Sequence, residues 1–366
     1  MAVLPSGHRA RSRRSLPVAL AVGVLCLAAV VLGGPARPGP TAAPLPPGLT
    51  APGLPAQPAA TAQPAAAPTP VTIPPPAAPV SVPASPVAAS APLPRPLGGV
   101  GARGSQRFVV DAPGGPRQVL LHVPTGLDRT QPAPLILVLG GLALPLSETE
   151  QATGLDGVGE TNGAVVAYVG ALHGSWDAGS CCGYAAAHHV DDVAALHAVT
   201  DALDGLVAID RRRVVVAGFS NGAMLAYRIG CQESRGVAGV IVVAGALVAP
   251  CRPRVPVSLV VAHGLLDRTV PVDGQRGSAY LHAATPSVVA SLSPFLRVDG
   301  CRDLRTIVRG RWSVELHRRC RGSSSVTVFR DALGAHAWPA TVPGGSFAQV
   351  AYDQLVSLRS ARDFGR

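Results

Sequence analysis

Gly218-Phe219-Ser220-Asn221-Gly222 follows the apolar run Arg213-Val214-Val215-Val216-Ala217 and precedes a helix-spaced stretch over 223–231. A serine between two glycines, where a buried strand turns directly into a helix, is the sequence context of a nucleophile elbow. The backbone crowds itself in such a turn, so the flanking positions must do without a Cβ. The hydroxyl is left projecting above the sheet, and the helix N-terminus favours negative charge developing beside it. Ser220 is the candidate nucleophile. An ordinary Gly/Ser turn shares the pentapeptide but not the strand and helix around it.

Working outward, apolar runs at 107–111, 118–123, 135–139, 164–169, 213–218, 237–243, 257–263 and 326–330 read as strands. Several are continuous in Val, Ile, Leu and Ala, as strands covered on both faces are. Helical spacing appears at 191–207 and 222–231. Strands alternating with helices argue for a mostly parallel sheet with helices on both faces. Eight such strands match the α/β-hydrolase fold, which orders a catalytic set as Ser, acid, His, the latter two in loops after later strands. His263-Gly264-Leu265-Leu266-Asp267 follows one strand, and Leu333-Gly334-Ala335-His336 follows the last. Asp267 is the expected acid, ahead of Asp273, Asp299 and Asp331, on its distance from the strand end. His336 is the expected base. The oxyanion hole needs two backbone N–H groups, expected from Asn221 and from Gly141 or Leu142 in the turn after 135–139.

These residues carry a resemblance. Gly174-Ser175-Trp176-Asp177-Ala178-Gly179-Ser180-Cys181-Cys182-Gly183 is similar to the Ser-Trp-Asn-Asp-Gly-x-Cys-Cys-Gly motif of the secreted esterases grouped with poly(3-hydroxybutyrate) depolymerases and feruloyl esterases. Val190-Asp191-Asp192-Val193, Gly218–Gly222 with Met224-Ala226-Tyr227-Arg228, His263–Pro271 and His336-x-Trp-Pro follow in the same order. The likeness spans about residues 107–339. It implies hydrolysis of carboxylic esters through an acyl-serine intermediate, with no metal or organic cofactor. Two departures stand out. Leu139-Gly140 replaces the family's His-Gly at the oxyanion turn, and Leu333-Gly334-Ala335-His336 replaces its Gly-Gly-Gly-His. The first removes a polar side chain that would help fix the oxyanion loop.

Residues 1–36 read as a secretory signal peptide or an uncleaved signal-anchor: Arg9, Arg11, Arg13 and Arg14 precede an apolar run from Leu16 to Leu32. Residues 37–98 are rich in Pro and Ala without periodicity, a composition expected to stay extended as a spacer or a free tail. Residues 99–366 form the expected catalytic domain. The formal net charge is +10, yet all 31 basic residues are Arg, they are scattered apart from Arg211-Arg212-Arg213 and Arg318-Arg319, and aromatics make up 4%. That pattern speaks for compositional bias and against a nucleic-acid partner. The chain is expected to be exported, monomeric, active on an extracellular ester, and tethered to a membrane if its first segment is retained.

Six of the seven Cys lie beyond the apolar segment, an even number that suits disulfides in an exported protein. Cys301 and Cys320, flanking a short segment before the last strand, are the expected pair. Cys181, Cys182, Cys231 and Cys251 remain open. His188-His189-Val190-Asp191-Asp192 looks like a metal cluster, but adjacent pairs do not converge on one ion, and Asp191 or Asp192 reads equally as a helix N-cap. Trp176 and Trp338 are candidates for lining a substrate pocket or for ordinary core. Two rival functions are a serine peptidase on the same fold, for which no device gripping a peptide terminus is visible, and a catalytically weak surface-binding protein, favoured only by Leu139.

Overall fold

The computed structural model describes Arg95–Pro96 and residues 105–363, apart from 235, 277–280 and 282. The signal or anchor segment, and the spacer up to residue 94, lie outside the described residues. One sheet of eleven strands organises the domain: β1 (Arg95–Pro96), β2 (Ser105–Val110), β3 (Arg117–His122), β4 (Ala133–Leu139), β5 (Val165–Val169), β6 (Ile209–Phe219), β7 (Gly239–Val243), β8 (Leu259–Gly264), β9 (Asp303–Arg309), β10 (Trp312–Arg318) and β11 (Val326–Asp331), in the order β1-β2-β3-β5-β4-β6-β7-β8-β11-β10-β9. Pairing is parallel from β5 through β4, β6, β7 and β8 to β11, and antiparallel in the ribbons at both ends.

The helices are α1 (Leu146–Thr153), α2 (Leu155–Asn162), α3 (Gly183–Ala187), α4 (Asp192–Asp204), α5 (Asn221–Gln232), α6 (Val288–Asp299) and α7 (Phe347–Asp363). Strand alternation divides the core in two. Leu135, Leu137 and Leu139 of β4 pack with residues of α4, α5 and α6, while Ile136 and Val138 pack with residues of α2 and α7. Both faces of the central strands are therefore dry, which explains their uninterrupted apolar sequence. Sequential connections run from β4 to β5 on one side and then to β6 on the other. That reversal opens a crevice beyond the strand ends, where α/β sheets place their ligands.

All eight expected strands are present, but the sheet has eleven. The three additions lie at its edges. β9 exposes Leu304, Ile307 and Val308 among arginines, so it lacks the buried-face pattern that reveals a strand. Arg95–Pro96, inside the segment expected as linker, pair with Val109 and Phe108 at the opposite edge. An edge strand tolerates proline because one of its sides needs no N–H donor.

Candidate active site

The elbow is as crowded as its two glycines suggest. Ser220 sits between β6 and α5 with φ 54° and ψ −119°. A Cβ on Gly218 would lie 2.3 Å from the Gly222 carbonyl, and one on Gly222 would lie 2.2 Å from that of Leu139. A left-handed backbone on a serine is costly, and strain of this kind clusters at functional positions. Nothing larger than glycine fits at 218 or 222.

His336 and Asp267 converge on this serine. His336 Nε2 stands 2.9 Å from Ser220 Oγ, and His336 Nδ1 stands 2.8 Å from Asp267 Oδ2. The carboxylate can only accept at Nδ1, so that nitrogen carries the proton and Nε2 is left to receive one from the hydroxyl. The other oxygen of Asp267 accepts the backbone N–H groups of Thr269 and Val270, each at 2.9 Å. Burial acts to raise the pKa of Asp267, but the bonds from His336 and Val270 outweigh it and hold the group below the ordinary carboxylate range. His263, expected nearby, is buried against Asp267 at 3.5 Å and donates from Nε2 to the Val270 carbonyl at 2.7 Å. Burial holds it below the usual imidazole range. Among the rival acids, Asp331 is engaged by Arg311, Asp299 accepts from Val257, and Asp273 is exposed.

The turn expected to form the oxyanion hole is held by Trp176. Its indole N–H donates to the Gly140 carbonyl at 3.0 Å. Its backbone N–H donates to Asn221 Oδ1 at 2.8 Å, and its carbonyl accepts from Asn221 Nδ2 at 3.1 Å. The side chain is fully buried, so of the two roles expected for Trp176, pocket lining and ordinary core, its burial matches the second, and its indole braces the turn after β4. Gly141 is the residue of that turn against Ser220, since a Cβ there would lie 3.3 Å from Ser220 Cβ. The Leu142 side chain turns toward Gly183. Leu139 is core. Trp338 is half-buried and packs edge-on against Phe347 with centroids 5.4 Å apart, on the α7 side of the sheet.

Below Trp176 lies a polar network that sequence reasoning missed. Asp192 Oδ2 accepts the Asp177 N–H at 2.6 Å, and Asp192 Oδ1 meets Arg117 at 2.7 Å with both side chains fully buried. Arg228 donates to the Asp177 carbonyl at 2.7 Å. Burial pushes the Asp192 carboxyl up to about 6, against the Asp177 N–H and Arg117. The available signal was a lone Arg opening an apolar strand, which is expensive unless paired. Of the two candidate N-caps, Asp191 is the one, accepting from the Ala194 N–H at 3.0 Å. His188 and His189 are exposed, and among the described residues no group of three or more His, Cys, Asp or Glu is placed to hold a metal ion.

The sulfurs meet in three pairs, Cys301–Cys320 as expected, Cys231–Cys251 and Cys181–Cys182. The first closes the β9–β10 hairpin and the second ties the end of α5 to the loop after β7.

Comparison with known proteins is consistent with this architecture. NocK of Nocardia uniformis subsp. tsuyamanensis, named as an esterase, is 31% identical over 236 residues, covering 58% of this chain and 67% of NocK. The chain belongs to the esterase family of the α/β-hydrolases. The model of the phospholipase/carboxylesterase family matches residues 193–290. Feruloyl esterase B of Piromyces equi is 23% identical over 235 residues, 60% of this chain, and this chain spans 42% of its length. The protein named feruloyl esterase C of Aspergillus terreus is 26% identical over 165 residues, 43% of this chain and 57% of its own. Among solved structures, S-formylglutathione hydrolase from Agrobacterium tumefaciens aligns at a TM-score of 0.48 and 12% identity, over 73% of this chain and 99% of that one. Acetyl xylan esterase from Aspergillus awamori aligns at 0.47 and 11%, over 66% and 94%. This esterase is a hydrolase of the carboxylesterase type.

Proposed function

We propose that this protein hydrolyses carboxylic esters through an acyl-serine intermediate, with Ser220 as nucleophile, His336 as general base and acid, and Asp267 as the acid that orients it. The observation that carries the reading is the unbroken chain of hydrogen bonds from Ser220 through His336 to Asp267. In this scheme Ser220 Oγ attacks the ester carbonyl carbon as His336 Nε2 takes its proton. The carbonyl oxygen gains negative charge and is met by the N–H groups of Asn221 and Gly141. Collapse of the tetrahedral species breaks the bond to the alcohol, which leaves with the proton from His336. Water repeats the sequence on the acyl-serine and releases the acid. Asp267, anionic throughout, steadies the imidazolium that forms twice in each turnover.

The substrate would be an extracellular ester: a short hydroxyalkanoate oligomer, a phenolic ester or an acyl group on cell-envelope material. Two relatives named feruloyl esterases support the phenolic class, and the apolar segment at Leu16–Leu32 supports export. The test is stoichiometric labelling of Ser220 by a fluorophosphonate, together with turnover on a panel of p-nitrophenyl and feruloyl esters. A folded protein that neither labels at Ser220 nor cleaves any ester of the panel defeats the reading and leaves a surface-binding protein.

A further inference from the structure

A rim of apolar side chains and arginines surrounds the acid and base loops. Leu265 and Leu266 precede Asp267, Leu333 precedes His336, and Val308 lies near the end of edge strand β9; they are 43%, 56%, 66% and 71% exposed. Backbone bonds join the three segments into one surface. Ala332 N–H donates to the Arg311 carbonyl at 2.9 Å, and Leu265 N–H donates to that of Asp331 at 2.8 Å. Register places Val308 opposite Ser313 and Ser313 opposite Arg330, at the same end of the sheet as His336.

The surface is also basic. Residues 301–321 hold seven arginines against Asp303 and Glu315. Asp303 is engaged by Arg305, and Glu315 by Arg330. The carboxylates nearest the rim, Asp267 and Asp331, are buried and engaged by His336 and Arg311. Arg268 and Arg309 are exposed and make no ion pair among the described residues. Four large exposed apolar side chains in one neighbourhood are unusual on a surface that meets only water. Arginines beside them suit a boundary whose outer layer is anionic and whose interior is hydrocarbon, because their stems lie along apolar surface while their heads reach phosphate.

We propose that this rim is a docking surface for an anionic lipid bilayer, bringing the catalytic edge against the membrane. The purpose assigned to it rests on the esterase reading; the docking itself does not. Hydrogen–deuterium exchange on the full chain tests it, with vesicles of phosphatidylcholine alone or mixed with phosphatidylglycerol. Exchange in 265–268 and 305–312 is expected to slow about fivefold on anionic vesicles and little on neutral ones. An N-terminal anchor alone would not protect these segments. Arg268→Gln/Arg309→Gln and Val308→Ser/Leu333→Ser should each abolish the protection. Vesicle binding that leaves both segments unprotected overturns the proposal, as does absence of binding or equal protection by neutral lipid. Equal protection by soluble polyphosphate, insensitive to Val308→Ser/Leu333→Ser, would also overturn it and point to a polyanion. Fluorophosphonate labelling of the same samples separates the two readings: protection without labelling sinks the esterase, and labelling without protection sinks the docking surface.

Discussion

The Leu266 N–H donates to the Gly334 carbonyl at 2.8 Å, one residue before Asp267 and two before His336. The loops carrying Asp267 and His336 thus hold each other by their backbones, and their close approach passes over Gly264. A Cβ on Gly264 would lie 2.3 Å from the Gly334 oxygen. Gly264→Ala should therefore push the His336 loop away while β8 stays in the sheet. A fall in kcat of more than about tenfold with an unchanged circular dichroism spectrum is expected, since small displacements of positioned groups are costly. Wild-type kcat in this variant would show that the loop is not held here.

The triad itself makes a sharper demand. Ser220→Ala and His336→Ala should each lower kcat/KM by about 10³ or more, and the double variant should be little worse than either, because the groups act as one unit. Asp267→Asn keeps the shape but can offer its amide to His336 and turn the ring to the wrong tautomer, so a comparable loss is expected. Since Asp267 is held below the ordinary carboxylate range, it should stay anionic, and keep orienting His336, through the pH range in which ordinary carboxylates take up a proton. His336→Ala with wild-type turnover would refute the base.

Trp176 gives the turn after β4 a polar contact that Leu139 does not. Leu139 offers no polar side chain to the turn expected to form the oxyanion hole, and the Trp176 indole N–H donates to the Gly140 carbonyl. Trp176→Phe keeps most of the ring and removes the donor. It should lower kcat about 10- to 10²-fold with KM nearly unchanged, and leave a buried carbonyl unpaired at a cost of about 1–2 kcal/mol. A KM effect without a kcat effect would mean that Trp176 serves binding instead.

What was legible in the sequence and what was not follows from how each element is stabilised. β6 and β8 are buried on both faces, so composition alone announced them, and chain order then singled out Asp267 and His336. β9 and β10 form an edge hairpin closed by Cys301 and Cys320, whose spacing was visible although its strands were not. Arg117 and Asp192 are joined across 75 residues of sequence, and Trp176 to Gly140 and Asn221 across 36 and 45, by burial and hydrogen bonds that no local pattern encodes. The resemblance marked Trp176 and Asp192 as members of motifs without showing that they support the turn.

The Cys301–Cys320 bond invites its own measurement. Intact mass of protein isolated from the culture medium should account for this bond, and reduction should lower the melting temperature by several degrees, as loss of a constraint worth about 2–3 kcal/mol would. Six free thiols in that material would contradict the pairing.

Asp299 gives the fold a stability that depends on pH. It closes α6, fully buried, with Oδ1 accepting the Val257 N–H at 3.0 Å. Burial raises its pKa to about 7, against the Val257 bond and the hydroxyl of Ser324. In the unfolded chain the group titrates near about 3.9. Between these values the folded protein holds a proton that the unfolded chain has released, so stability falls as pH rises through that window. Above it both states are ionised and the whole cost of the buried charge is present. Asp299→Asn keeps the acceptor for Val257 and carries no charge at any pH. It should match the wild type near pH 5 and exceed it near pH 8 by about 2 kcal/mol, a rise of about 4–8 °C in melting temperature. Thermal melts of the two proteins across that range decide the matter: parallel curves, or a variant less stable near pH 8, would mean that Asp299 is not the group responsible.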